Sequence, residues 1–170
     1  LQEHVELDRE KCLAIVSELM DNFPKDATGE YWNSPESGFG YVVREIDDDE
    51  LWAKYLQTTQ HAAPGLRLQM LQNLRYATED DKTRPRRIAF LLAFLDDATL
   101  RDASINSKKY EGPSAGSGFP KIEVRNFAAM SLASMLKFKD KPDENWNADQ
   151  WSELRERVRS ALTKRGLPND

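Results

Sequence analysis

The chain has 170 residues, of which 39% are hydrophobic and 31% are charged, and its formal net charge is −5. A chain of this length can bury roughly 70% of the surface exposed by its unfolded form. Its aromatic content of 9% argues against wholesale disorder. No apolar run reaches the roughly 18 residues of a membrane span, and the single cysteine, Cys12, excludes an internal disulfide framework.

The start of the chain shows no signal peptide. It begins at Leu1 and has no basic segment followed by an apolar one. We therefore expect a soluble protein, either a mature form or a fragment of a longer one, and the sequence does not indicate its compartment.

Charge is distributed unevenly along the chain. Residues 1–60 hold 5 basic and 14 acidic residues, whereas residues 61–170 hold 19 and 15. A general grip on nucleic acid needs a broadly basic face, which this balance does not favour. A protein or peptide is the preferred partner, and nucleic acid is the less favoured one.

The first half of the chain contains three predicted helices. The first covers residues 8–22, where apolar residues recur every three or four positions, and Pro24 prevents its continuation. Residues 24–46 are interpreted as a long, partly packed connection, in which residues 41–43 suit a strand but lack a second strand. Asp47 is predicted to cap the second helix, and Pro64 to begin the third.

Three more helices follow the polar turn at residues 77–83. Thr83 is predicted to cap the fourth, and Pro120 to open the fifth. Asn147 and Gln150 have the spacing of a capping box for the sixth helix, which Gly166 ends. Six helices without a convincing sheet predict an all-α fold, with residues 1–170 as a single domain.

The connection between the fourth and fifth helices, residues 98–121, is too long for an ordinary helix junction. Its centre, residues 111–118, is rich in Gly, Ser and Pro. Long insertions on a rigid frame often carry function, so this segment is a candidate contact element.

Residues 122–136, with the sequence IEVRNFAAMSLASML, combine large apolar residues with many small ones. Ala129 and Ala133 lie one helical turn apart beside a row of larger side chains. Such a helix has two contact sides, and its small residues allow close approach of a neighbour. Residues 87–95 and 127–135 also align at an offset of 40, a period typical of helical-hairpin repeats.

The same stretch resembles the second helix of a HEAT repeat, the unit of an armadillo-type α-helical solenoid. The residues that match are Val124, Arg125, Ala128, Ala129, Leu132 and Leu136. The resemblance covers residues 64–164, to which residues 1–63 add acidic helices and an aromatic loop. It departs from the family pattern in the insertion after Asp97.

This resemblance implies stacked antiparallel helix pairs that form a superhelix. It also implies a non-catalytic interaction or scaffold role, either alone or as part of a larger protein. In the family a turn aspartate bonds an arginine of the following helix, so Asp96 or Asp97 is expected to meet Arg125 or Arg101.

No metal, cofactor or catalytic residue is predicted. His4, Cys12 and His61 lack the spacing of a metal-ligand pair, and the acidic alternation at residues 143–149 is explained better as a helix cap. The glycine-rich residues 112–121 lack the lysine and hydroxyl pattern of a phosphate-binding loop. Trp151 is expected in the core, and Trp146 either packs at the last helix start or forms an aromatic binding platform.

Basic residues gather around the insertion and the adjoining helix starts. The candidates for binding a partner or an anion are Arg84, Arg86, Arg87, Arg101, Lys108, Lys109, Tyr110, Lys121 and Arg125. They suit an acidic peptide, a phosphate or a nucleic-acid backbone, unless they pair with acidic residues of the chain itself. The alternative function is therefore an enzymatic or enzyme-accessory helical domain with a basic cleft that binds phosphate or nucleic acid.

Overall fold

The computed structural model describes residues 9–22, 35–75, 77–102, 119, 121–143 and 145–166. These residues form seven helices and a small two-stranded ribbon, so the predicted all-α class is confirmed. None of these helices is long and apolar enough to cross a membrane. The chain divides into two compact units, up to Asn73 and from Leu74 onward. That the whole chain acts as one domain stays a prediction.

The described part of the first unit contains α1 (Arg9–Asp21), α2 (Pro35–Ile46), α3 (Asp49–His61) and α4 (Pro64–Gln72). Helix α3 contacts each of the other three. Helix α1 buries Cys12, Val16 and Met20 at the predicted helical spacing. The predicted first and third helices are therefore confirmed.

Residues 35–46 form a helix, so the prediction of a connection with an extended segment at residues 41–43 is wrong over this range. Its two internal glycines lower helix propensity and conceal the pattern. Phe39, Val42, Val43 and Ile46 nevertheless share one buried face. Packing of this face stabilises the helix more than the glycines disfavour it.

The start of α3 is capped by Asp48, one residue after the predicted Asp47. One Asp48 carboxylate oxygen accepts hydrogen bonds from the backbone N–H groups of Glu50 (3.0 Å) and Leu51 (3.2 Å). Asp47 lies in the left-handed region with a φ of 55°. Its carboxylate accepts a hydrogen bond from the Trp52 indole N–H at 3.1 Å. Asp48 therefore caps α3, and Asp47 bonds the Trp52 side chain.

Helix α2 approaches the end of α4 closely at Gly40. A Cβ atom on Gly40 would lie 2.8 Å from the Asn73 Cβ and 3.1 Å from the Tyr55 hydroxyl oxygen. The Tyr55 side chain is buried, and its hydroxyl donates to the Met70 carbonyl at 3.1 Å. Burial raises the pKa of Tyr55, so the hydroxyl keeps the proton that it donates.

The described part of the second unit contains α5 (Arg84–Leu92), β1 (Leu100–Asp102), β2 (Lys121–Glu123), α6 (Val124–Met135) and α7 (Ala148–Lys164). The strands are antiparallel, with Leu100 opposite Glu123 and Asp102 opposite Lys121. The expectation of no sheet is therefore wrong in detail. The helix predicted to open at Pro120 begins at Val124, because residues 121–123 belong to the ribbon.

Helix α6 packs against both α5 and α7. Ala129 and Ala133 are 0% and 4% exposed, so the predicted helix with two contact sides is confirmed. The Arg84 guanidinium at the start of α5 donates to the Met135 carbonyl at the end of α6 (2.7 Å). This contact shows that helices α5 and α6 run antiparallel. A cation also suits the negative end of a helix.

Local signals act at both ends of α7 as predicted, and at the end of α6 a lysine stands where glycine is usual. Asn147 and Gln150 form the predicted capping box, and Gly166 ends α7 with a φ of 72°. After α6, Lys137 has a φ of 62°, where glycine is the usual residue. The Phe138 N–H donates to the Ala133 carbonyl at 2.9 Å and closes the end of the helix.

Gly40→Ala should lower the free energy of unfolding of the first unit by about 1–3 kcal/mol, because the new methyl group overpacks the contact with Asn73. Urea denaturation followed by circular dichroism measures the change. Gly38→Ala is the matched control, since a Cβ there meets nothing within 4 Å and alanine favours the helix. Equal destabilisation by both variants would contradict the close approach at Gly40.

Ala129→Leu should destabilise the second unit by about 1–3 kcal/mol, because the fully buried site has no room for three more carbon atoms. Ser134→Leu on the same helix is the control, since Ser134 is exposed. Thermal unfolding of both variants tests the prediction. Unchanged stability of Ala129→Leu would mean that α6 does not pack closely on both sides.

Candidate functional site

The predicted basic residues fall at three places in the second unit, and Lys108, Lys109 and Tyr110 lie outside the described residues. Arg84, Arg86 and Arg87 occupy the first turn of α5. Arg101 and Lys121 lie on the ribbon. Arg125 is the second residue of α6.

Arg87 is buried and serves the turn that precedes α5. Its guanidinium forms an ion pair with Asp81 and donates from Nε to the Thr83 hydroxyl at 3.0 Å. The Thr83 hydroxyl in turn donates to Asp81 at 2.7 Å, so Thr83 occupies the predicted cap position without making a side-chain cap bond. The network keeps Arg87 inside the fold.

The basic residues of the ribbon hold the two ends of the insertion together. Arg101 donates to the Phe119 carbonyl at 2.9 Å, and burial lowers the pKa of its guanidinium. Lys121 pairs with Asp102 at 2.8 Å across the strands. Arg125 forms an ion pair with Glu123. Pairing with acidic residues of the chain, the alternative raised by the sequence, is thus observed for Lys121 and Arg125, whereas Arg101 bonds a backbone carbonyl.

The turn after α5 makes a different arginine contact from the one expected by resemblance. Asp96 pairs with Arg159 of α7 at 2.6 Å, so Asp96 is not the turn aspartate that makes the expected bond with Arg125 or Arg101. The Asp97 carboxylate accepts from the Thr99 N–H at 2.9 Å. The Asp97 carbonyl accepts from the Arg125 backbone N–H at 2.8 Å. The turn therefore reaches α6 through backbone atoms.

Three arginines come together where this turn, the start of α6 and the middle of α7 meet. Arg155 donates to the Asn126 side-chain carbonyl at 2.6 Å, and Asn126 directly follows Arg125. Arg159 lies one turn beyond Arg155 on α7 and bonds Asp96. We call Arg125, Arg155 and Arg159 the arginine cluster.

The surroundings of Arg155, the central member of the arginine cluster, disfavour its charged form. Burial lowers the pKa of Arg155, and the positive charges of Arg125 and Arg159 lower it further. Glu123 and Asp96 act in the opposite direction. The sequence shows Arg155 and Arg159 four residues apart on a predicted helix, but it does not reveal which helix they face.

A small open groove in the first unit lies between the ends of α1 and α3. Its volume is about 210 Å³, below the roughly 300–1,000 Å³ of ordinary ligand pockets. Its lining residues are Met20, Asp21, Lys54, Gln57, Thr58, His61 and Ala62. Lys54 donates to Asp21 at 2.6 Å and to the Ser17 hydroxyl.

The aromatic residues near α7 pack on one another. Trp151 is buried, as predicted, and its ring centroid lies 5.1 Å from that of Trp146 and 6.0 Å from that of Phe119. Trp146 thus packs at the start of α7, as the sequence suggested. In the part of the chain that the structure describes, no group of three His, Cys, Asp or Glu residues is arranged to hold a metal.

Asp81→Asn should destabilise the second unit by about 3 kcal/mol, because it leaves the buried Arg87 guanidinium without its carboxylate. Glu79→Gln is the control, since the ion pair of Glu79 with Lys137 is exposed and should contribute nothing measurable. Urea denaturation at neutral pH distinguishes the two variants. Equal stability of both would show that Arg87 does not depend on Asp81.

Comparison with known proteins assigns no family to the chain. No family model matches it, and neither a curated protein nor a solved structure matches it. The all-α class therefore rests on the structure itself, and the HEAT-like resemblance stays a prediction.

Proposed function

We propose that the chain is a non-catalytic binding module that contacts a protein or peptide, with the HEAT-like helices of the second unit as its frame. The observation that carries this proposal is the packing of α6 against α5 and α7 through buried small residues. Layered helices of this kind provide an extended rigid surface that single-core helices do not. The assignment to the HEAT type rests on this packing together with the sequence pattern.

The insertion at residues 98–121 supplies a second argument for contact. Its described ends form paired strands. Arg101 donates to the Phe119 carbonyl, and Lys121 pairs with Asp102 on the opposite strand. These bonds hold the two described ends of the insertion together beside the start of α6. Loops held in this way by a rigid scaffold are frequent binding elements.

Pairing of the basic residues favours contact over the alternative of an enzymatic or enzyme-accessory domain with a basic cleft. That alternative needs Arg86, Arg87 and Arg125 to face a common ligand. Arg87 is instead buried against Asp81. Catalysis at a cleft built from these residues would require that buried ion pair to open.

Replacement of residues 104–118 by an equal number of glycines and serines should remove or strongly weaken partner capture. The replacement retains both strands, Phe119 and their bonds, so it changes the contact sequence and leaves the frame in place. Affinity capture with the purified chain, followed by quantitative mass spectrometry, identifies partners. Circular dichroism and hydrogen exchange of α6 check that the frame is retained.

The control bait carries Ser134→Ala, an exposed change outside the insertion. It should retain every partner that the unaltered chain captures. Equal yields with the glycine–serine variant would exclude the insertion as the contact element. Failure of the unaltered chain to enrich any partner over an unrelated helical bait would contradict the proposed function.

A further inference from the structure

We propose that the arginine cluster, Arg125, Arg155 and Arg159, binds a phosphate dianion. The phosphate is either a modified side chain of a partner or a free phosphate ion. Binding of a modified partner rests on the proposed function and specifies the partner's chemistry. Binding of a free phosphate ion is independent of the proposed function.

The cluster is assembled by three separate elements. Arg125 is fixed at the start of α6, because its backbone N–H donates to the Asp97 carbonyl at 2.8 Å. Arg155 is brought to the same place by its 2.6 Å bond with Asn126, a buried residue. Arg159 is placed one turn beyond Arg155 on the same helix and faces the turn after α5, where Asp96 lies. The site therefore exists as a consequence of the fold rather than of one flexible side chain.

Charge in the cluster is incompletely balanced. The bond of Arg155 with Asn126 goes to a neutral amide oxygen, while its two arginine neighbours add repulsion. Glu123 and Asp96 each form an ion pair with one of the other two arginines. An added anion would lower the electrostatic cost of holding three guanidinium groups together.

Asp96 is a replaceable occupant of this site. Its side chain is 88% exposed, whereas that of Arg159 is 25% exposed. An exposed carboxylate contributes little to such a pair because water screens it. A ligand with greater charge can therefore take the place of Asp96 beside Arg159.

Phosphate fits the cluster better than a carboxylate does. Guanidinium groups donate two parallel hydrogen bonds to phosphate oxygens, and a dianion has enough oxygens for several arginines. A single carboxylate would only repeat the contact that Asp96 already makes.

The test uses inorganic phosphate and a peptide with one phosphoserine, with the unphosphorylated peptide as the reference. Isothermal titration gives affinity, and the Nε–H resonances of the arginines report the site. Arg155→Gln should weaken binding by at least about tenfold, the effect of losing a charged hydrogen bond. Arg157→Gln is the matched control, because Arg157 lies on α7 but bonds Asp140 at 2.7 and 2.9 Å.

Asp96→Asn provides a change of opposite sign. It removes the competing carboxylate, so phosphate should bind several-fold more tightly, and a loss of folding cannot imitate this gain. Affinity of the unaltered chain should also fall as salt increases. Circular dichroism verifies that Arg155→Gln and Asp96→Asn remain helical.

Each outcome decides the proposal. Tighter binding of the phosphopeptide than of inorganic phosphate identifies a modified partner, and equal binding identifies free phosphate. No binding by the unaltered chain at millimolar phosphate or phosphopeptide overturns the proposal. So does an equal loss in Arg155→Gln and Arg157→Gln, or weaker binding by Asp96→Asn. Partner capture through the insertion is measured separately, so either proposal can fail alone.

Discussion

Burial of α6 against two neighbouring helices is the constraint on which the second unit depends. A helix in this position has few places for polar groups, and each needs a partner inside the protein. The Ser131 hydroxyl donates to the Phe127 carbonyl at 2.8 Å, and Asn126 accepts from Arg155. The ends of α6 are held by Arg84 and by the carbonyls of Thr99 and Asp97. The packing that requires small side chains on α6 therefore also places Arg84 and Arg155 against the polar groups of this helix.

Several basic residues of this chain bond groups within the fold itself. Arg87, Arg101 and Lys121 each bond a group close to a turn or strand that they stabilise. Abundance of Lys and Arg around a loop is consequently a poor guide to a binding surface. The arginine cluster differs because its members come from two helices, α6 and α7, and its central member bonds a neutral amide.

Local signals allowed much of the fold to be predicted, and non-local pairing accounts for what was missed. The capping box of Asn147 and Gln150 and the small residues of α6 act within one helix, so the pattern shows them. Strands β1 and β2 are three residues each and pair across the insertion, which leaves no periodicity to detect. Helix α2 was missed because Gly38 and Gly40 mask a face that becomes evident only when packed.

The candidate site was less predictable than the fold for the same reason. Formal charge locates arginines along the chain, but the partner of each depends on tertiary contacts. One of the turn aspartates, Asp96 or Asp97, was expected to meet an arginine of the next helix, and Asp96 meets Arg159 near the end of the unit's sequence. The position of the Arg155 side chain depends on its bond with Asn126, which lies 29 residues away in sequence.

Asp47 and Lys137 share a feature with a consequence for how this sequence can vary. Both are non-glycine residues with positive φ, a conformation that costs a side chain roughly 1–2 kcal/mol. At position 47 glycine would relieve that strain but would remove the bond with Trp52. At position 137 it would remove only an exposed ion pair with Glu79. Related sequences should therefore accept glycine readily at position 137, whereas glycine at position 47 should accompany the loss of Trp52, so positions 47 and 52 are expected to covary.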